Sequence, residues 1–504
     1  MLKRMLVAPD PGRLRLRNAT RAVFGIGLAV TFSGLASHSL PAAVAGGLAA
    51  LLALFTVTDA RVRDQALTTS LLPLVGFPVL ALATVLHDHP PARDLAFLVV
   101  VCAGVYARRW GPRGHALGIF AFMAFFMAQF LHAVPGQLPE LYAAVALSLV
   151  TSSTVRFGLW CYERRLPVPV VPALHGGSGL ARTTTRQALQ ATAATAFALG
   201  AGQLLSVDRW YWAVGTVWWI FVNTASRGET LVRSFRRVLG TVVGIAVGLL
   251  VAVPLHGDTA LTAVLVAVCV FGIFYTAAVS YSWMVFFVTV MAGLLYGLLG
   301  VLNPGLLVLR LTETGVGALG AALAVVLVLP VTLHATTDAW IRRALHCVHA
   351  CTAEAAARLA GSPTADPAPR VTELEALLGR VRLSLAPLVH PLNPLRARRA
   401  RARQVLVLLD LCAREVRGLA AMAADPDASH DVRLDAACRR VESAVLALAQ
   451  PRPVRTEPHA APASAPHHHP GAEAALTHLH ALEGALAELA APLHTSPRSP
   501  LVPA

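Results

Sequence analysis

From residue 21 to Pro330 the chain alternates between long apolar runs and short polar breaks. The runs are roughly 17–25 residues long, and about 20 helical residues cross the hydrocarbon core of a bilayer. Twelve runs are read as spans, at approximately 21–38, 41–58, 66–86, 93–107, 114–133, 138–158, 187–206, 210–226, 236–254, 259–279, 283–302 and 305–330. Beyond Pro330 the pattern changes. Val371, Leu374, Leu377, Leu378 and Val381 recur at helical spacing among Asp and Glu of ordinary surface frequency, which predicts a helical cytoplasmic domain over 335–450. Residues 451–471 read as a Pro/His-rich disordered linker, and 472–504 as an amphipathic helix and tail. The expected fold is an all-α polytopic membrane protein, with about twelve transmembrane helices in two six-helix repeats and a C-terminal helical cytoplasmic domain.

Composition agrees. Hydrophobic residues make up 56% of the 504 and charged residues 14%, whereas soluble proteins carry about a quarter charged. The basic segment 1–20 has no short apolar core ahead of a small-residue cleavage site, so no cleaved signal peptide is expected.

A net charge of +15 raises nucleic acid as a partner, and its distribution argues against it. The N-terminus and the even-numbered loops, including Arg61, Arg63, Arg108, Arg109 and Arg113, hold 20 basic residues. The odd-numbered loops hold only Arg93 and Arg209, so the positive-inside rule puts both termini in the cytoplasm. Trp110, Trp160, Trp283 and Trp340 are expected at the inner interface, and Trp210 and Trp212 at the outer one.

The membrane part reads as duplicated. Arg21–Leu40 and Arg186–Leu205 are both Ala/Gly/Thr-rich first spans, and Tyr106 aligns with Tyr275. Two six-span repeats, 21–160 and 187–332, are parallel repeats, joined by a Pro/Gly-rich connector over 161–186. The seven cysteines form no C-x-x-C pair and read as buried apolar residues or reduced thiols, not as disulfides or a zinc site.

Gly240, Gly244 and Gly248 repeat every four residues with Thr241 beside them, a face that lets two helices approach closely in lipid. Arg237 just before them is either a topology anchor or an inner-side anion contact. Trp210-Tyr-Trp212, then Asn223-Thr-Ala-Ser-Arg227-Gly, then Arg237-x-x-Gly240-Thr241-x-x-Gly244 together resemble the fusaric acid resistance (FUSC-like) family of the aromatic acid exporter superfamily. Arg310-x-x-Glu313-Thr314-x-x-Gly317 resembles the last span of that family. The resemblance is good over about 185–332 and weaker over 15–160, where the Gly-Thr signature is absent. It implies an inner-membrane protein exporting aromatic or other organic acids, in a superfamily that also resembles plant malate channels of the aluminium-activated type. Many members place their soluble domain between the two membrane halves; here it follows both.

Arg310 and Glu313 stand in an apolar run, where a charge costs about 2.5–3.5 kcal/mol on insertion scales. Three residues apart on one helix, they share a face and can pair. One reading is a structural ion pair locking the last span. The other is a guanidinium that receives a substrate carboxylate, with Glu313 holding it and carrying a proton. The motif opens the ninth span from the inside and lies near the outer start of the twelfth, which suggests a 3+3 inverted repeat within the second half.

Trp218, Trp219 and Asn223 form either an aromatic wall for substrate or ordinary packing, and Gln129 is expected to bond between helices. His87-Asp88-His89 and His467–His469 read as solvated residues rather than metal sites, and the arginines of 396–403 as an anionic-lipid contact or a solvated face. Lys3 is the only lysine, so no Walker motif exists. No cofactor, metal or enzymatic activity is expected.

The reading is an exporter of small organic acids, aromatic carboxylates first among them, driven by proton or membrane potential. Its partners are that anion and the bilayer; nucleic acid is excluded, and a homo-oligomer is left open. The alternatives are a passive organic-anion channel of the same fold and a non-transport membrane scaffold.

Overall fold

A computed structural model of the chain describes residues 13–37, 39–59, 61–163, 179–222, 224, 227–252, 254, 258–298, 303–329, 333–359, 362, 364–389, 396–423, 432–449 and 470–494. Among the described residues the structure is helical and has no strands. The first six long helices are α1 (Leu14–Ser37), α2 (Leu40–Thr56), α3 (Val62–Val85), α4 (Pro90–Tyr106), α5 (Gly111–Leu131) and α6 (Leu138–Glu163). Next come α7 (Thr183–Leu205), α8 (Tyr211–Phe221), α9 (Arg227–Ala252), α10 (Thr259–Ala277), α11 (Tyr281–Leu298) and α12 (Pro304–Leu327). The last are α13 (Leu333–Leu359), α14 (Ala368–Val389), α15 (Arg396–Ala423), α16 (Val432–Ala449) and α17 (Pro470–His494). Most of the connector and nearly all of the linker, with His467–His469, lie outside the described residues.

Local chemistry sets where the helices begin. The Ser39, Asp258 and Asn303 side chains accept from the amides of Ala42 (3.2 Å), Leu261 (2.9 Å) and Leu306 (2.7 Å) ahead of α2, α10 and α12. Each satisfies a first-turn amide that has no partner inside its own helix.

α1–α12 and α13–α17 form two separate compact units. In the first, seven stretches among the described residues are long and apolar enough to cross a bilayer: Arg15–Ala36, Val62–Val85, Pro90–Leu131, Pro135–Gly158, Arg227–Ala252, Thr259–Ala277 and Gly305–Leu327. The 42-residue stretch Pro90–Leu131 is α4 and α5 joined by a 3₁₀ turn, Ala107–Trp110. Pro41–Thr56 and Tyr281–Gly297 are apolar but shorter. α7 is more polar because its glutamines act inside the protein: Gln187 donates to the Thr224 carbonyl (2.8 Å) and Gln190 to those of Val328 (2.8 Å) and Leu329 (3.1 Å).

Packing within the unit follows one scheme twice. α1, α2 and α6 pack on one another, while α5 packs on α3 and α4. α7, α8 and α12 pack on one another, while α11 packs on α9 and α10. Between the two sets, α4 packs on α7 and α10 on α1. Gln129 of α5 donates to the Ala83 carbonyl of α3 at 3.4 Å, an interhelical bond of the expected kind.

α8 differs most from expectation. The apolar run suggested a span over 210–226, but the helix ends at Phe221, and eleven residues rise only about 16 Å. Every α8 side chain except Trp219 is buried. Trp218 stacks on Phe122 at 4.1 Å between ring centroids, and a Cβ at Gly104 would stand 2.8 Å from its ring. Trp210 and Trp212, expected in an outer aromatic belt, are 3% and 7% exposed and pack inside the protein. Trp340, expected at the inner interface, lies in the core of the second unit. In each case the ring buries more apolar surface against protein than an interface would offer.

The second unit is a helical bundle in which α17 packs on α15 and α16. Leu479, Leu482, Leu486 and Leu489 of α17 enter its core, and His478 meets Glu415 at 2.8 Å.

Candidate ion and substrate site

The site is built on α12, where Asn303 and Pro304 start the helix two turns before its charged residues. Arg310 and Glu313 do not form the ion pair that their spacing allows; they turn to different neighbours. Arg310 Nη1 donates to the Tyr296 hydroxyl of α11 at 3.3 Å, and the guanidinium lies 5.1 Å from the centre of the Trp212 ring. This ring-face contact is a cation–π interaction. Arg310 Nε is buried and has no acceptor.

Glu313 is fully buried and neither carboxyl oxygen has a hydrogen-bond partner. Its seat is a gap left by a missing side chain: a Cβ on Gly202 of α7 would stand 3.1 Å from Glu313 Oε2 and 3.1 Å from the Trp210 carbonyl. The Ala213 amide, in the first turn of α8, approaches the carboxyl, but its hydrogen goes to the Trp210 carbonyl at 3.2 Å. Glu313 therefore faces the positive end of the α8 dipole without a formed hydrogen bond. A buried carboxyl in that position takes either a proton or an incoming donor.

The other motif residues of α12 are spent on packing. Thr314 donates to the Arg310 carbonyl at 2.7 Å. A Cβ on Gly317 would stand 2.5 Å from the Ala213 carbonyl, so α12 and α8 touch backbone to backbone there. Beside Arg310 a narrow cleft runs between α9, α11 and α12, lined by Gly244, Gly248, Thr289, Gly293, Tyr296 and Arg310, with room for little more than water. Gly240 and Gly244 let α9 and α11 approach closely, since their Cβ atoms would stand 2.6 Å from the Ser282 carbonyl and 2.7 Å from Thr289 Cβ.

Arg237 and Thr241 lie away from this cleft. Arg237 donates to the Tyr281 hydroxyl at 3.3 Å, and that hydroxyl donates to the Trp219 carbonyl at 3.1 Å. Tyr281 opens α11 and Tyr296 lies near its end, so Arg237 and Arg310 are about 22 Å apart along that helix. Trp218 is a packing residue between α5 and α8, and Trp219 meets Phe55 edge to face at 6.5 Å. Asn223 lies outside the described residues. No group of three or more His, Cys, Asp or Glu with metal-binding geometry occurs among the described residues.

Sequence reasoning missed four contributors. Tyr296, Trp212 and Gly202 shape the surroundings of Arg310 and Glu313. Arg108 closes the opposite end of α8: its Nη1 donates to the carbonyls of Phe221 (3.3 Å) and Thr224 (3.2 Å) and to Gln187 Oε1 (3.1 Å). α8 thus has an acid at its N-terminal end and a cation at its C-terminal end, the arrangement its dipole favours.

An all-helical unit with several apolar spans and charged side chains buried among them defines a multi-pass membrane protein. Residues 194–326, about a quarter of the chain, match the fusaric acid resistance protein-like family, which includes the motifs of α9 and α12. No curated protein and no solved structure matches the chain.

Proposed function

We propose that the chain is a cytoplasmic-membrane transporter that exports small organic acids, aromatic carboxylates first among them, driven by proton or membrane potential. The observation that carries this reading is the unpaired state of Arg310 and Glu313. A half-buried guanidinium whose Nε is buried and without an acceptor, beside a cleft, suits a carboxylate, because its fork matches two oxygens. A fully buried carboxyl without a donor suits a proton carrier. If the two were only a structural lock, they would be expected to bond to each other.

The doubled packing scheme supports a parallel two-repeat architecture of twelve helices, since α4 on α7 and α10 on α1 are equivalent under exchange of the halves. Loop charges support a cytoplasmic placement of both termini and of the helical domain. The separation of Arg237 and Arg310 along α11 is what a 3+3 inversion within the second half requires.

The test is efflux of a panel of aromatic carboxylates from vesicles under imposed pH gradients. Glu313→Gln should lose the dependence on the pH gradient, and Arg310→Lys should raise KM for the anion. Equal efflux in wild type and both variants removes the pair from the mechanism. Flux that follows voltage without saturating marks a passive channel instead.

A further inference from the structure

In the second unit, α13 carries the run His346-Cys347-Val348-His349-Ala350-Cys351. Cys347 and Cys351 are four residues apart, which places both sulfurs on one helix face. That face is turned inward: the two residues are 6% and 1% exposed and belong to the apolar core of the bundle. Both are free thiols, and Cys347 Sγ lies 3.5 Å from the Arg370 carbonyl at the start of α14.

Helix geometry decides what such a pair can do. Residues four apart hold their Cβ atoms about 5–6 Å from each other. A disulfide needs about 3.5–4.5 Å. The pair therefore cannot close a disulfide on an intact helix. An ion held between two thiolates needs more room: with metal–sulfur bonds of about 2.3 Å, the sulfurs stand about 4–5 Å apart. The spacing suits that arrangement. Zinc wants four ligands, and no group of three or more His, Cys, Asp or Glu is available among the described residues. His346 is exposed and His349 only half-buried, so neither shares the buried face. Two soft sulfur ligands in an apolar setting select a soft monovalent ion.

We propose that Cys347 and Cys351 form a two-coordinate site for a cuprous ion. On binding, each thiol releases its proton to solvent, and two thiolates with one Cu(I) leave a single negative charge. Arg343 and Arg370 act on Cys347 to offset that charge, and Glu373, which pairs with Arg370 at 3.2 Å, opposes them. No electron is transferred. The site is independent of the transport reading.

The experiment is an anaerobic titration of the purified full-length chain in detergent against a chromophoric cuprous chelator. Wild type should withdraw one Cu(I) per chain. Cys347→Ala and Cys351→Ala should each weaken binding about a hundredfold or more, while Cys412→Ala and Cys438→Ala leave it unchanged. Circular dichroism and size exclusion check that the variants fold. Alkylation of the wild type in mild denaturant, where the buried thiols of the copper-free chain open to the reagent, gives a readout without mutation: copper should protect Cys347 and Cys351 and no other cysteine. Wild type that takes no copper from the chelator, a Cys347→Ala protein that binds like wild type, or protection of other cysteines instead would each overturn the site.

Discussion

Two glycines two residues apart on α12 should respond oppositely to the same added methyl. At Gly317 a Cβ would stand 2.5 Å from the Ala213 carbonyl, 2.7 Å from Thr216 Cβ and 2.9 Å from Thr216 Cγ2. The nearest of these is backbone and cannot rotate away, so α12 must back off from α8 or the helices must bend. Overpacking of this kind costs about 1–3 kcal/mol, against about 0.5–1 kcal/mol gained when Ala replaces Gly in a helix. At Gly315 nothing lies within 4 Å of the new Cβ, so only the gain applies. Gly317→Ala should therefore melt below wild type and Gly315→Ala at or above it, about 2 kcal/mol apart. The assay is thermal unfolding of the purified proteins in one detergent, followed by tryptophan fluorescence and by the fraction left monodisperse. A Gly317→Ala protein as stable as Gly315→Ala would refute the backbone contact between α12 and α8. It would also unseat Glu313, whose position against Ala213 depends on the same contact.

Arg108→Ala should destabilise by about 2–3 kcal/mol, because it leaves the Phe221 carbonyl at the buried end of α8 without its charged donor. Arg108→Lys should recover part of that; melting unchanged in both variants would mean α8 ends for another reason. Trp218→Ala should cost about 3–5 kcal/mol, with Trp218→Phe much milder, by the same melting assay. A variant with full stability but a raised KM would instead make Trp218 part of a substrate wall. Outside the spans, burial pushes the Asp338 carboxyl up to about 6, against the opposing pull of Arg342. The unfolded chain ionises this group at its usual 3.8, so between about pH 4 and 6 it releases the proton first and stability falls as pH rises. Asp338→Asn should melt above wild type near pH 7–8 and level with it near pH 4; a pH-independent gap would refute the assignment.

What the sequence made legible, and what it hid, divides by whether a property is local. Apolar run length is local, so each of the twelve runs read as spans falls on a helix. The end of α8 is not local. Nothing in Trp218-Trp-Ile-Phe-Val stops a helix; it stops where Arg108 and Gln187, both distant in sequence, take the carbonyls of the following turn. Likewise, spacing made Arg310 and Glu313 capable of pairing, but pairing competes with every other neighbour. Tyr296 and Trp212 attract the guanidinium, and the absent side chain of Gly202 opens a seat for the carboxyl in another direction. A glycine that matters because of what fills its space leaves almost no trace in a hydropathy pattern.

These non-local features share one element. α8 is a short helix of eleven residues, and it is buried on nearly every side, with Glu313 and Trp212 at its first turn and Arg108 at its last. A full-length span hides its terminal amides and carbonyls near the headgroups, where water satisfies them. A helix packed against protein on nearly every side holds the ends of its dipole where water screens them less, and each is worth more there. The sequence answers with an acid at one end and a cation at the other. This accounts for Glu313 in so apolar a region: it complements the end of a buried helix rather than Arg310. It also makes the carboxyl of Glu313 sensitive to any displacement of α8, which ties its state to the packing of α7, α8 and α12 around it.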